Sequence, residues 1–380
     1  MFDDVVNFVR TLYGQKGNIP LHSPIFIGNE KKYLEQCIDS TFVSSAGKFV
    51  DQLELKIAKY TGANYAIATS SGTSALHISL LMSGVCKEDE VITQPLTFIA
   101  TCNAISYCGA KPIFIDVDKD TLGLSPSALK SFLEKNTIVK DQKCINKNTG
   151  NIIKACIPMH TFGHSCRISE ILEICSKYNI ILIEDAAESL GSFYKGQHTG
   201  TFGSLGALSF NGNKTITTGG GGAIITNNSR LALHAKHLIT TAKVPHAWSF
   251  NHDEIGYNYR MPNINAALGC AQLEQLDDKI KAKRAMFHSY KDAFSNIRGI
   301  KLISEPKNCK SNYWLQTLII DADKLEYRDL ILEATNERGL MTRPAWTLMH
   351  ELKPFKDFPR MNLDVAKSLS LRLINIPSSV

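Results

Sequence analysis

Lys214 stands in ALSFNGNKTITTGGGGAI (207–224), just after a strand-like run and just before the four glycines 219–222. A lysine on a loop of small residues can approach a cofactor carbonyl. Partial desolvation and nearby cations would favour the neutral amine that such chemistry needs. The bland alternative is a solvated loop lysine beside a flexible turn. The run is not a Walker phosphate loop, because Lys214 precedes the glycines instead of closing them. Asp185 ends the apolar run IILIED (180–185), at the strand end where open α/β sheets bind ligands. A carboxylate there can serve a cation, a ribose or a protonated ring nitrogen, or simply cap the next helix. In ATSSGTSALHI (67–77) a strand gives way to Ser-Ser-Gly-Thr-Ser and then a helix. Free N–H groups and the helix dipole make such a terminus an anion site. Gly72 permits close backbone approach, and the Thr73 and Ser74 hydroxyls add donors. The same run also reads as an ordinary Ser/Thr N-cap.

The elements that must position these residues follow an α/β pattern. Short apolar runs recur at YAIAT (65–69), EVITQ (90–94), PIFID (112–116), IIKACIP (152–158), IILIE (180–184), GALSF (206–210) and GAIIT (222–226). Helical patterns such as 73–84 and 169–179 separate most of them, which predicts a mostly parallel seven-stranded sheet flanked by helices. The last two runs are joined by the glycine loop, so a hairpin and a mixed sheet are open. Residues 2–13 read as a short amphipathic helix, 17–24 as an extended entry segment, and 28–42 and 49–62 as helices, with Gly62 a C-terminal stop. The pattern changes after about residue 250. Residues 262–294 read as one long helix, followed by a strand at 312–320, a helix around 323–337 and a last apolar segment, 370–379. This predicts a large α/β domain, 1–250, carrying the N-terminal helical segment, and a smaller α+β domain, 251–380.

Composition narrows the function classes. The 380 residues are 44% hydrophobic and 21% charged, as in ordinary globular proteins, with a formal net charge of +6. The basic residues are scattered without interleaved aromatics, so nucleic acid is not an expected partner. None of the ten cysteines forms a C-x-x-C pair, so no metal site is expected; small core residues in a reducing compartment are the simpler reading. The N-terminus lacks the apolar core of a secretory signal, and no run of 18 apolar residues exists. The expectation is a cytoplasmic protein without a membrane span.

The stretches SGTSAL (71–76), PLTFIATCNAI (95–105), KPIFIDVDKDTL (111–122), MHTFG (159–163), EDAAESLGS (184–192), SFNGNKTITTGGGGA (209–223) and GYNYRMPNINAALG (256–269) occur together and in order. In this the chain resembles the DegT/DnrJ/EryC1/StrS group of sugar aminotransferases, fold-type-I enzymes dependent on pyridoxal 5'-phosphate (PLP). The resemblance spans about residues 20–380, and it is the ordered set of seven that is specific. It implies that Lys214 carries PLP and that Asp185 keeps its ring nitrogen protonated. It further implies that Phe98 stacks on the ring, and that Gly72, Thr73, Ser74 and Ser209 hold the phosphate. Asn258 matches a residue that reaches the phosphate of a partner subunit, which implies a homodimer with shared sites; Arg260 is a second candidate for that role. Two positions depart from the family pattern. Glu188 stands near the cofactor's phenolic oxygen where relatives often carry Gln or His, and a carboxylate there must be protonated or repel the phenolate. Gly219–Gly222 replaces a pattern with an acidic residue among the glycines.

The implied activity is transfer of an amino group from glutamate, leaving 2-oxoglutarate, to the C4 keto group of a nucleotide-linked 4-keto-6-deoxy sugar. The cofactor alternates with its amine form, PMP. Residues 1–20 and FVSSAGKFVDQLE (42–54) look most like the subgroup that aminates 2-acetamido sugars on routes to legionaminic-type nonulosonic acids or surface polysaccharide such as O-antigen. His160, Arg343 and His22 are candidate sugar contacts, weighed against a structural hydrogen bond or an ordinary surface position. A sugar dehydratase on the same scaffold would carry His where Lys214 stands. A PLP-binding regulator without turnover is the remaining alternative.

Overall fold

The computed structural model describes residues 2–14 and 17–380, the side chains of residues 2 and 4 excepted. Each of the seven apolar runs forms one strand of the main sheet: β1 (Tyr65–Thr69), β2 (Glu90–Thr93), β3 (Lys111–Phe114), β4 (Ile153–Ile157), β5 (Ile181–Asp185), β6 (Leu205–Ser209) and β7 (Gly222–Thr226). Their spatial order is β1-β7-β6-β5-β4-β2-β3. The five strands from β6 to β3 pair in parallel, while β7 runs antiparallel to both β6 and β1. The hairpin through the glycine loop is therefore real. With no helix between β6 and β7, no parallel crossover can be made.

The strands read as continuous apolar runs because both faces are covered. Ile67, Ala207, Ile224 and Ile183 face a core shared with α4 (Gly72–Met82), α5 (Ile99–Tyr107) and α8 (Ser229–Ile239). Ala68, Leu208, Ala223 and Ile225 face the opposite side, against α3 (Lys48–Thr61) and α9 (Asn263–Leu273). Further along that side, Ile92, Cys156 and Leu182 pack on α6 (Pro126–Asn136) and α7 (Ile168–Lys177). Seven of the ten cysteines are buried and all ten are free thiols. Gly62 ends α3 in the left-handed conformation at φ 75°, where a side chain would be strained.

The expected single helix over 262–294 is in fact two, α9 and α10 (Leu276–Phe294). Side chains from preceding segments seize the junction. Glu274 accepts from Lys56 Nζ at 2.7 Å and from Tyr33 and Asn29 at 2.9 Å. Gln275 donates to Glu30 Oε1 at 2.6 Å. Thus α9 stays on the main sheet while α10 turns toward a second, antiparallel sheet. That sheet contains β8 (Ile300–Leu302), β9 (Gln316–Ile320), β10 (Arg343–Pro344) and β11 (Leu373–Ile376), in the order β8-β9-β11-β10. The helix expected around 323–337 is α11 (Glu326–Glu337).

The N-terminal helix α1 (Phe2–Tyr13) packs through Val5, Val6 and Val9 against Tyr290, Phe294, Leu318, Ile331 and Ile374, the core of the smaller sheet. We place a domain boundary near residue 250 as a proposal; α1 packs with the part beyond it. Among the described residues no helix is long and apolar enough to cross a membrane.

Candidate active site

The site lies where β1, β5 and β6 end and their following loops meet. Ser71 caps α4, its hydroxyl accepting from the Ser74 N–H at 3.0 Å, so the first turn of the helix points its free N–H groups outward. Three stretches of the chain crowd this corner. A Cβ on Gly222 would lie 2.6 Å from the Gly72 nitrogen and from the Ser71 carbonyl carbon, and one on Gly72 would lie 2.8 Å from Ser209 Cβ. Glycine is required at both positions for α4 to start directly above the β6–β7 hairpin. Asn265, at the start of α9, holds the glycine loop by donating to the Thr218 carbonyl at 2.7 Å and the Gly220 carbonyl at 3.2 Å.

A cavity of about 330 Å³ opens beside this corner. Among its lining residues are Ser71, Gly72, Thr73 and Ser209 at one end, Asp185 and Glu188 deeper in, and Lys214, Phe98, Trp314 and Trp346 around them. Asp185 is almost completely buried at the end of β5. One oxygen accepts from Thr101 Oγ1 at 2.6 Å and the other from the Ala187 N–H at 3.2 Å. Burial pushes its carboxyl up, and these two donors together with Lys214 hold it down.

Glu188 is also buried, with Oε2 accepting from the Phe162 N–H at 2.9 Å and Oε1 3.2 Å from Lys214 Nζ. The Lys214 side chain lies 4.0 Å above the Trp314 ring. Trp314 is itself pinned: its indole N–H donates to the Asn213 carbonyl at 2.7 Å and its backbone N–H to Asn312 Oδ1 at 2.8 Å. The Asn312 amide in turn donates to the carbonyls of Glu188 and Leu190, both at 2.9 Å. One asparagine thereby ties the Glu188 loop to the segment beneath Lys214.

Burial pushes the Glu188 carboxyl up to about 7, against the opposing pull of Lys214 and the Phe162 N–H. The folded chain therefore holds this proton more tightly than the unfolded chain does. Stability contributed here is present at low pH and is lost as pH rises from the ordinary carboxylate range to about 7. Thermal melts of cofactor-free protein across that range should show the wild-type midpoint falling relative to that of Glu188→Gln. Parallel curves for the two proteins would show that Glu188 does not hold a proton.

The structure brings Gly72, Thr73, Phe98, Asp185, Glu188, Ser209 and Lys214 around one cavity. Ser74 does not line it. Its hydroxyl sits 2.9 Å from that of Ser71 and 3.0 Å from that of Ser70, inside the cap. His160 is fully buried, 3.0 Å from Glu184 Oε2, and takes the structural-bond alternative. His22 lies behind the site, 2.8 Å from Lys283 Nζ. Arg343 is exposed on β10 and donates to Asn336 and to the Thr342 carbonyl, both at 2.8 Å. Asn258 is exposed and outside this chain's own cavity; Arg260, next to it, pairs through its backbone with Thr69 at the end of β1.

Ser71, Trp314 and Trp346 line the site without having been singled out. Two of the chain's three tryptophans sit here, and their scarcity was the available signal. One group of described residues, His237, Asp253 and Glu254, brings three donor atoms within 4.8 Å of one another, and none of the three lines the cavity.

The donor set fits a flat, phosphorylated, carbonyl-bearing ring such as PLP. An anion seat at a helix N-terminus faces a buried carboxylate across the cavity, with an amine and an aromatic ring between them.

A model of the DegT/DnrJ/EryC1/StrS aminotransferase family matches residues 25–380. GDP-perosamine synthase of Escherichia coli O157:H7 is 38% identical over 360 residues, covering 95% of this chain and 93% of that protein. GDP-perosamine synthase of Vibrio cholerae is 34% identical over 361 residues, covering 95% and 94%. Among solved structures, the aminotransferase TlmJ of Streptoalloteichus hindustanus has a TM-score of 0.86 and 24% identity, covering 95% of this chain and 94% of its own, a likeness of fold.

Proposed function

The chain belongs to the DegT/DnrJ/EryC1/StrS aminotransferase family, PLP-dependent enzymes that aminate nucleotide-linked sugars, and from that premise we propose that it moves an amino group from glutamate to the C4 keto group of a nucleotide-linked 4-keto-6-deoxy sugar. The observation that carries this reading is the convergence of Lys214, Asp185, Glu188 and the α4 N-terminus on one cavity. PLP supplies, when bound, an electrophilic carbonyl and an electron sink that lets a C–H bond beside nitrogen break.

The protein's own groups do the rest. Ser71, Gly72 and Thr73 present N–H and hydroxyl donors to the phosphate, with Ser209 opposite. Asp185, held by Thr101 and the Ala187 N–H, keeps a proton on the ring nitrogen. Lys214 would hold the cofactor through its amine, and the free amine would move the substrate proton as base and then as acid. Phe98 covers the ring, and Trp314 and Trp346 keep water from the reacting atoms.

Glu188, whose carboxyl burial pushes up to about 7, is partly protonated near neutral pH, and in that form it would donate to the phenolic oxygen. A carboxylic acid thus takes the place of a neutral donor side chain. The relatives that make a GDP-linked amino sugar favour a GDP-linked substrate. A 2-acetamido sugar on a route to surface polysaccharide or a nonulosonic acid is the finer proposal. Resemblance of residues 1–20 and 42–54 to a legionaminic-type subgroup supports it. We further propose a homodimer. Asn258 lies outside its own cavity, and the loop before it exposes Trp248, Phe250 and Ile255, each more than three-quarters accessible.

The test is spectroscopic. Purified protein with PLP should show a visible band that excess glutamate bleaches. The correct keto sugar nucleotide, screened among GDP, UDP and dTDP forms, should restore it. A band that ignores glutamate would remove the donor from the proposal. A band that glutamate bleaches but none of these sugars restores would remove the acceptor.

A further inference from the structure

Behind Lys214 the structure buries a second lysine. Lys283, on α10, is about 1% exposed, and among the described residues no carboxylate pairs with it. Its ammonium contacts His22 Nε2 at 2.8 Å and donates to the Ser378 carbonyl at 2.7 Å and the Trp314 carbonyl at 3.0 Å. These partners come from the entry segment, the C-terminal end and the chain leading into β9. When Lys283 is protonated, His22 Nε2 accepts from it and the imidazole carries its proton on Nδ1. That Nδ1 makes no hydrogen bond of good geometry, yet the ring lies close enough to the Asn213 carbonyl and to Lys214 to interact with both.

The arrangement is costly, because an ammonium removed from water without a counter-charge is destabilising. Lys279 stands nearby on the same helix, where the Glu30 carboxylate favours its charged form. Arg284 turns outward to Glu305. Burial and then Lys279 push Lys283 down to about 7. On the other side, Lys214 faces Glu188, Asp185 and His22. The two lysines share one residue as a spacer: Trp314 accepts from Lys283 through its carbonyl and lies under Lys214 with its ring.

We infer that Lys283, with His22, is a positioning residue for the active-site lysine: it fixes Trp314 beneath Lys214 and holds positive potential behind the Lys214 nitrogen, opposing a second charge there. This rests on the reading of Lys214 as the lysine that carries the cofactor. A purely structural lysine would be better replaced by a hydrocarbon. Burial pushes Lys283 down to about 7, so its charge stands behind the Lys214 nitrogen in full only below that pH.

The measurement is a pH titration of the visible band of the full-length protein loaded with PLP. Lys283→Met fills the space without charge, and Lys283→Gln keeps a donor without charge. A unit charge roughly 10 Å away across protein of effective dielectric near 20 moves a proton equilibrium by about one pH unit. Both variants should raise the midpoint, by about that much where it lies below 7 and by less above it, and His22→Gln should raise it less. An unmoved midpoint in either soluble variant, even with a lowered melting temperature, overturns the inference and leaves Lys283 a packing residue. Failure of the underlying reading looks different: wild-type protein would then show no visible band to titrate, or Lys214→Ala would keep it.

Discussion

Lys214→Ala should lose both the visible band and turnover, while folding to the same secondary structure. Two functions disappear at once. The covalent attachment of PLP has no other amine among the residues lining the cavity. The proton carried to and from the substrate carbon also loses its carrier, a contribution of roughly 10²- to 10⁴-fold for a positioned acid–base group. Added methylamine should recover part of the turnover, because a free amine can occupy the space the side chain leaves. Retention of most activity without added amine would assign the chemistry to another residue. Among the described residues the side chain makes one hydrogen bond, to Glu188, and one ring contact, so folding should change little.

Asp185→Asn should be nearly as damaging without disturbing the shape of the site. The amide oxygen can still accept from Thr101 or from the Ala187 N–H, so the side chain should stay in place. What it cannot do is hold a positive charge on the cofactor ring. Breaking a buried charge pair costs about 3–5 kcal/mol, and each 1.36 kcal/mol is tenfold in rate, so turnover should fall by roughly 10²-fold or more. The lysine-bound visible band should persist, which separates this variant from Lys214→Ala. Turnover within a few-fold of wild type would show that the ring proton does not depend on Asp185.

All seven strands of the main sheet were legible, because strands buried on both faces must be apolar at every position and stand out as runs. So was the meeting of Lys214, Asp185 and Gly72 at one cavity, since the strand ends of an open α/β sheet converge there. The junction at Glu274 and Gln275 was not. Periodicity continues through it, and only contacts from Asn29, Glu30, Tyr33 and Lys56, more than 200 positions away, reveal the break. Trp314 and Trp346 were missed for a similar reason: tryptophans in apolar surroundings read as core until the chain's path brings them to Lys214 and Phe98. Ser74 belonged to the right motif with the wrong duty, since its hydroxyl faces back into the cap.

The strand β7 carries a consequence for how the molecule assembles. Tyr65–Thr69 pairs along its whole length with Gly222–Thr226, roughly 150 positions later in the chain. Contacts that close so long a loop are made slowly, because their entropy must be spent before they return anything. During synthesis, α4 and β1 leave the ribosome long before the strand that separates β1 from β6 exists. The anion seat therefore matures late, after the parallel strands β2 to β5 have had time to form around their own helices. A nascent chain stopped short of residue 222 has Ser71, Gly72, Thr73 and Ser209 but no corner, because the antiparallel ladder that sets them side by side is still missing.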